Sequence, residues 1–483
     1  MRTLTVVAAV LLGTAANAQY WRALGKGVVG PTGVQTLYGD SASDRLLAGG
    51  TFLHILNADD TVLGHGQATW NGHRWDSLAT RIQPFSGGEG ANQTHWFIRF
   101  EGQLYACGFF GFQLPNGEWN NNLARLNEQE QRWENLGCNI SYLEGITTLV
   151  PKEPQGTLYA TGRKGSLCGL PQSCVFRYDG EQFHEWPPFQ QITYDPSNYV
   201  GTVFDYKGMT YMTCAVPDPL GPGFVSFLRW NGSSWEHVPG WNTTSPIKEI
   251  LIRNDILYVA GTFTLANGGP GNLVAAFDGE AWDDMGGGLF YTPVPMAGAA
   301  LDLEWFHDEL WACGLFNTAG GVPARGIAKW DGHRWCVPPG DFRWINNSQG
   351  TLLDMTVWRD SLYVCGGILT VDGDTMKQVV QWLGGDAVEA CSPGVGLAEI
   401  PEPEASGNLR AIPLGTPGRW TVQFPGPGNW AITAWNAAGQ PVGRWQSRGG
   451  PVEVDLSGHA AGLYLLQAAQ VDGRPYFAKV IRP

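Results

Sequence analysis

The sequence has 483 residues, with 66 Gly, 22 Trp, 15% charged residues and a formal charge of −14. The balance of 44 Asp and Glu against 30 Lys and Arg excludes a basic nucleic-acid binder, because nothing would neutralise phosphates. Abundant glycine with 43% hydrophobic and 12% aromatic residues excludes long helices and disorder, which leaves a large all-β protein.

Met1-Arg2, the apolar run Val6 to Leu12 and Ala16-Asn17-Ala18 predict a secretory signal peptide over 1–18, with the mature chain starting at Gln19. The apolar run is too short to span a bilayer, and no membrane anchor is expected in the mature chain.

From there to residue 395 two motifs alternate. The first is an apolar pair, one or two small residues and a Gly. Leu46-Leu47-Ala48-Gly49-Gly50-Thr51-Phe52, Leu257-Tyr258-Val259-Ala260-Gly261-Thr262-Phe263 and Leu310-Trp311-Ala312-Cys313-Gly314-Leu315-Phe316 are clear copies. The second is aromatic-Asp/Asn-Gly-x-x-aromatic, as in Trp70-Asn71-Gly72-His73-Arg74-Trp75, Phe277-Asp278-Gly279-Glu280-Ala281-Trp282 and Trp330-Asp331-Gly332-His333-Arg334-Trp335. Seven copies begin at 70, 126, 178, 230, 277, 330 and 382.

Asn-Gly or Asp-Gly between short apolar runs is a hairpin signal, read here as a type I′ turn with φ > 0 at both central residues. The Gly of the first motif permits close approach of a neighbouring backbone. One further apolar stretch precedes it, so each repeat of about 52 residues holds four strands. The expected architecture is a seven-bladed β-propeller of four-stranded blades over 19–395, with aromatics packed between blades. Tyr20-Trp21-Arg22-Ala23-Leu24-Gly25 resembles the last strand of a repeat without its hairpin partner. It is expected to pair into the final blade and latch the ring, in place of a Trp-bearing strand at Val388-Glu389-Ala390-Cys391.

Nine Cys leave at least one free thiol. Cys168 and Cys174 bracket a Gly-Leu-Pro-Gln-Ser loop and are the expected disulfide. Cys107, Cys313 and Cys365 share one repeat position, with Cys214 one residue off it, and read as small buried residues.

A Pro and Glu linker, 396–408, ends the repeats. Alternating stretches at Trp420 to Phe424, Trp430 to Trp435, Val452 to Leu456, Leu463 to Ala468 and Tyr476 to Ile481 predict a small immunoglobulin-like β-sandwich over 409–483.

Two resemblances follow from these residues. The Gly-bearing strand and unit length resemble kelch-like repeats. The run Ala434-Trp435-Asn436-Ala437-Ala438-Gly439-Gln440-Pro441-Val442, then Val454-Asp455-Leu456-Ser457, Ala461-Gly462-Leu463-Tyr464-Leu465-Leu466 and Ala478-Lys479-Val480-Ile481 resembles the C-terminal sorting domain of type IX secretion cargo from Bacteroidetes-like bacteria. It departs from that family in lacking a Pro-Asn-Pro opening and in ending Arg482-Pro483. The resemblance implies handling by a secretion and sorting machinery and attachment to the outer cell surface.

Chemistry is harder to place. No phosphate loop, Gly-x-Ser-x-Gly elbow or spaced His or Cys ligand set is present. His73 and His333 share a repeat position and read as scaffold. The variable loops offer polar candidates for ligand binding: Asp59 and Asp60, Trp119 to stack on a sugar with Asn120 beside it, Asn267-Gly268-Gly269, and Asp372 with Asp374 as oxygen ligands for Ca²⁺. No other cofactor is expected. The expectation is a secreted or surface-attached binding protein recognising glycan or protein through loop faces. The alternatives are a secreted hydrolase, lyase or oxidase acting on polysaccharide at the central channel, and a structural surface-layer protein. Converging acidic or His side chains in the channel would favour the enzyme.

Overall fold

The computed structural model describes residues 20–30, 33–78, 93–138, 145–152, 156–193, 195–264, 271–292, 298–385, 387–392, 409–414, 418–424, 426–436, 440–470 and 476–482. The signal peptide, the 396–408 linker and Asn267-Gly268-Gly269 lie outside them. The chain separates into two compact units, 1–395 and 396–483.

The first unit is built of antiparallel sheets. Among the described residues, seven groups of strands follow one four-strand plan, the third and fourth being joined into one eight-stranded sheet by the Arg163–Tyr199 pair. The first comprises Gly33–Asp40, Arg45–Thr51, Gln67–Trp70 and Trp75–Ser77. The second comprises Gln93–Phe100, Gln103–Gln113, Trp119–Asn127 and Arg132–Glu134. The third begins at Ile146–Lys152 and ends at Phe183–Glu185, and the fourth runs from Tyr199–Tyr206 to Trp235–His237. The fifth starts with Ile247–Arg253 and Ile256–Thr264, and the sixth holds Ala299–Phe306, Glu309–Leu315, Ile327–Trp330 and Trp335–Val337. The seventh takes Leu352–Trp358, Ser361–Gly366 and Val379–Trp382 from its own repeat, and its fourth strand, Trp21–Ala23, from the start of the chain. There Trp21 lies opposite Trp382 and Ala23 opposite Val380.

Both motifs have local physical causes. In the hairpin motif the Asn or Asp side chain accepts the N–H groups two and three residues on. Asp278 takes those of Glu280 and Ala281 at 2.8 and 2.7 Å, and Asn71 takes those of His73 and Arg74 at 2.9 Å. Only the Gly has positive φ (Gly279, +102°), which corrects the expected type I′ geometry: the acidic or amide residue serves as acceptor instead. In the other motif, a Cβ on Gly314 would sit 2.1 Å from the Ala299 carbonyl oxygen, so only Gly fits. Beside that contact every first strand carries a bulge; in the sixth sheet the register steps from Ala300–Gly314 to Asp302–Cys313.

Five of the seven sheets are joined to the preceding one in the same way. The last-strand indole donates to a carbonyl just beyond the last strand of the preceding sheet: Trp282 to Pro239 at 2.8 Å, Trp335 to Met285 at 2.6 Å, Trp21 to Pro339 at 2.7 Å and Trp75 to Leu24 at 2.9 Å. At the opposite strand ends ion pairs cross the junctions, including Arg253–Asp308 at 2.6 Å and a bidentate Arg359–Asp44 pair at 2.6 and 2.7 Å. The seventh sheet thereby meets the first, and one apolar cluster there unites Leu37, Leu46 and Trp75 with Trp358, Tyr363 and Val379.

Ala390–Cys391 corrects an expectation. It does not complete the seventh sheet, whose edge Trp21–Ala23 already fills, but lies beside Cys336–Val337 on the outer edge of the sixth. Cys336 and Cys391 form a disulfide.

The second unit holds a three-stranded sheet (Arg410–Pro413, Arg419–Gln423, Val452–Asp455) and a four-stranded sheet (Pro441–Arg448, Asn429–Asn436, Gly462–Ala469, Tyr476–Arg482). Trp420, Val422 and Val454 of one sheet and Trp430, Ile432 and Leu466 of the other share one apolar core.

Candidate functional site

The bulges place one residue of every first strand at the same register position: Thr36, Trp96, Thr148, Thr202, Glu249, Asp302 and Asp354. Three consecutive sheets therefore contribute carboxylates there, and Glu304 adds a fourth two residues further along. A bulge frees backbone N–H groups, which need acceptors in a buried setting. The carboxylates supply them. Asp302 accepts from Leu303 at 2.8 Å and, across the sheet boundary, from Met355 at 2.6 Å. Asp354 accepts from Leu37 of the first sheet at 2.7 Å, while Glu249 and Glu304 accept from Ile250 and Trp305, each at 3.0 Å.

Burial, then repulsion among these neighbours, favours the protonated forms. It pushes Glu249 up to about 8 and moves Asp302 well above the ordinary carboxylate range, and burial followed by Asp354 pushes Glu304 up to about 7. Burial also raises Asp354, which shares a hydrogen bond with Asp302. Groups that retain protons near neutral pH can act as general acids. Their documented bonds are nevertheless structural: they tie adjacent first strands together.

This cluster was missed in the sequence because each acid lies inside an apolar strand, as in Ala299–Phe306. The available signal was the repeat itself, since aligning the copies stacks Glu249, Asp302 and Asp354 in one column.

The sequence-derived candidates do not meet in one place. Asp59 and Asp60 sit in the turn between His54–Leu56 and Thr61–Leu63. Asp60 accepts from Asn57 and Arg74, each at 2.8 Å, so it braces two hairpin tips, while Asp59 is exposed. Trp119 is 42% exposed at the start of its strand, but Asn120 is fully buried and donates to the Leu123 carbonyl at 3.0 Å, which removes it from a sugar-facing surface. Asp372 accepts the Asp341 N–H at 2.9 Å, and Asp374 is exposed.

Among the described residues, one trio of potential ligand atoms lies within 4.8 Å, Cys336, Glu389 and Cys391, and its sulfurs are already bonded to each other. Asp372 and Asp374 form no such group.

The disulfide expectation is also corrected. Cys168 pairs with Cys138, Cα atoms 5.4 Å apart, bridging the second and third repeats. Cys174 begins the inward-facing part of Ser173–Tyr178 and packs with Val200 and Cys214 against the fourth sheet. Its thiol donates to the Asn198 carbonyl at 3.3 Å, and burial pushes it up to about 12. Cys107, Cys313 and Cys365 are free and buried.

No protein-family model and no curated protein matches the chain. Among solved structures it is similar to the extracellular domain of the hybrid two component system BT4673 from B. thetaiotaomicron, with 10% identity, a TM-score of 0.41 and coverage of 93% of this chain and 56% of that one. A second structure, the extracellular domain of the one component system BT4673 from the same organism, gives 10% identity, a TM-score of 0.38 and coverage of 93% and 57%. YjhT gives 14% identity and a TM-score of 0.32, over 75% of this chain and 98% of its own. The chain thus spans just over half the length of the two BT4673 domains. Among the described residues no helix is long and apolar enough to cross a membrane.

Proposed function

We propose that this is a secreted or cell-surface binding protein: a seven-bladed propeller of kelch-like repeats that recognises glycan or protein through one loop face, followed by a C-terminal sorting sandwich. The cyclic junctions, with the seventh sheet meeting the first, support ring closure. The leader and two disulfides support an exported chain.

The observation that carries the binding reading is that five of the exposed apolar side chains of the first unit share one type of connection, while Ile252, Leu383 and Val388 are exposed elsewhere. Strands alternate in direction, so connections from second to third strand and from one sheet to the next open at the same end. Leu63, Trp119, Leu220, Phe224 and Ile345 all lie in or border such connections, and all are exposed. Packing within the fold does not account for them, whereas a partner would.

The test is a glycan-array screen followed by titration of a hit. Trp119→Ala and Phe224→Ala are each expected to weaken binding tenfold or more with an unchanged melting temperature. Wild-type affinity in both variants would remove this face from the reading. For the sorting domain, deletion of 409–483 is expected to trap the protein inside the cell envelope. Normal surface display of the truncated chain would remove that role.

A second reading, a secreted hydrolase, lyase or oxidase, draws on the proton-holding Glu249 and Glu304 on the bulged first strands of the fifth and sixth sheets. Turnover of a polysaccharide that is lost in Glu304→Gln would favour it over simple binding.

A further inference from the structure

The seventh sheet is completed from both ends of the first unit's chain. Its fourth strand is three residues long and comes from the far end of the chain, so no hairpin holds it in place. The chain that leaves this sheet passes close by: the Leu383 N–H donates to the Tyr20 carbonyl at 2.8 Å, immediately before the latch strand. It then crosses to the sixth sheet and is fastened there three times. Cys391 is bonded to Cys336. Ser392 donates its N–H to Trp335 at 2.7 Å and accepts the Trp335 N–H on Oγ at 3.1 Å. Glu389 pairs at 2.8 Å with Lys329, whose ammonium also holds Glu309 at 2.7 Å.

We propose that this triple fastening is a clasp that shields the N-terminal latch from fraying that starts where the chain leaves the ring. Local opening spreads along contiguous hydrogen-bonded structure from its least stable end. Without the clasp, fraying beyond Ser392 would run back through Leu383 into Val379–Trp382, the strand to which Trp21–Ala23 is paired. With it, opening stops at a covalent bond to a different sheet. The clasp therefore protects sheet seven, although it is built on sheet six, and it does so whatever the loop face binds.

Hydrogen exchange on the full chain tests this. In Cys336→Ser/Cys391→Ser, amides of Trp21–Ala23 and Val379–Trp382 are expected to exchange at least tenfold faster, with the third and fourth sheets unchanged. The Cys138→Ser/Cys168→Ser variant keeps the clasp and is expected to leave the seventh sheet at the wild-type rate. If the first variant does not fold, folded Cys138→Ser/Cys168→Ser protein is treated with a phosphine reductant and the same peptides are read, since the clasp is then the only bridge among the described residues left to open. Unchanged exchange in the seventh sheet after loss of the clasp, or equal acceleration in every sheet, would overturn the proposal.

Discussion

Trp21→Ala is expected to destabilise the first unit by about 3–5 kcal/mol, the range for removing a buried tryptophan from a packed core. Trp21 is 1% exposed and packs with ring centroids 4.7 Å from Trp382 and 5.1 Å from Phe342. Its indole also satisfies the Pro339 carbonyl, which the variant would leave without that donor. The other anchors of the latch are hydrogen bonds: backbone pairing over three residues, the Arg22 guanidinium on Gln381, the Leu383 N–H on the Tyr20 carbonyl and the Trp75 indole on the Leu24 carbonyl. A loss of this size is a large part of the stability of an ordinary domain. Urea denaturation is the measurement. A midpoint shift worth less than about 1 kcal/mol would show that the latch does not hold the seventh sheet. Trp119→Ala removes an equally large but exposed side chain and serves as the control.

The second large effect is on pH. Glu249 and Glu304 titrate near 8 and 7 in the folded chain, against about 4.3 when unfolded. The folded state thus holds protons that the unfolded state releases. Stability from this source is complete below about pH 4 and is lost as pH rises through 7 and 8. Asp40 works the other way. Burial acts to raise it, but bonds from Arg99 and Ser43 outweigh burial and hold it below the usual range, so its contribution is lost on acidification. The expected profile is maximal stability in mildly acidic solution and a fall on the order of a few kcal/mol by pH 8. Glu249→Gln/Glu304→Gln mimics the protonated pair and is expected to reduce that fall, the remainder being carried by the raised Asp302 and Asp354. Denaturation midpoints at pH 5 and pH 8 decide the matter: a wild type equally stable at both, or a variant as pH-sensitive as wild type, would refute the argument.

The scaffold was legible in the sequence because its determinants are local. Asp278-Gly279 encodes a tight hairpin through its own side chain and its own φ, and Tyr20 to Gly25 declares itself a last strand by likeness to Trp282 to Gly286. The carboxylate cluster was not legible in the same way. Asp302 gains its meaning from Met355, in the next repeat, and Asp354 from Leu37, at the other end of the unit. The Cys168 pairing failed for the same reason. Nearness in sequence favoured Cys174, but strand alternation turned that residue inward and left Cys138 as the neighbour in space. Asn120, placed among loop residues, lies inside an extended hairpin that the sequence rule for turns cut too short.

The indole bonds that reach back to a backbone carbonyl of the preceding sheet, made by five of the seven sheets, have an evolutionary consequence. Each such interface is written half in one sheet and half in the next, and one of these bonds, Trp75 to Leu24, ties the first sheet to the residue that follows the strand completing the seventh. A repeat gained or lost by recombination would leave the other junctions intact yet require all of them to change angle together before the ends could meet. In the closed ring proposed above, repeat number is therefore inherited as a whole number fixed by closure, while the connecting loops remain free to diverge one at a time.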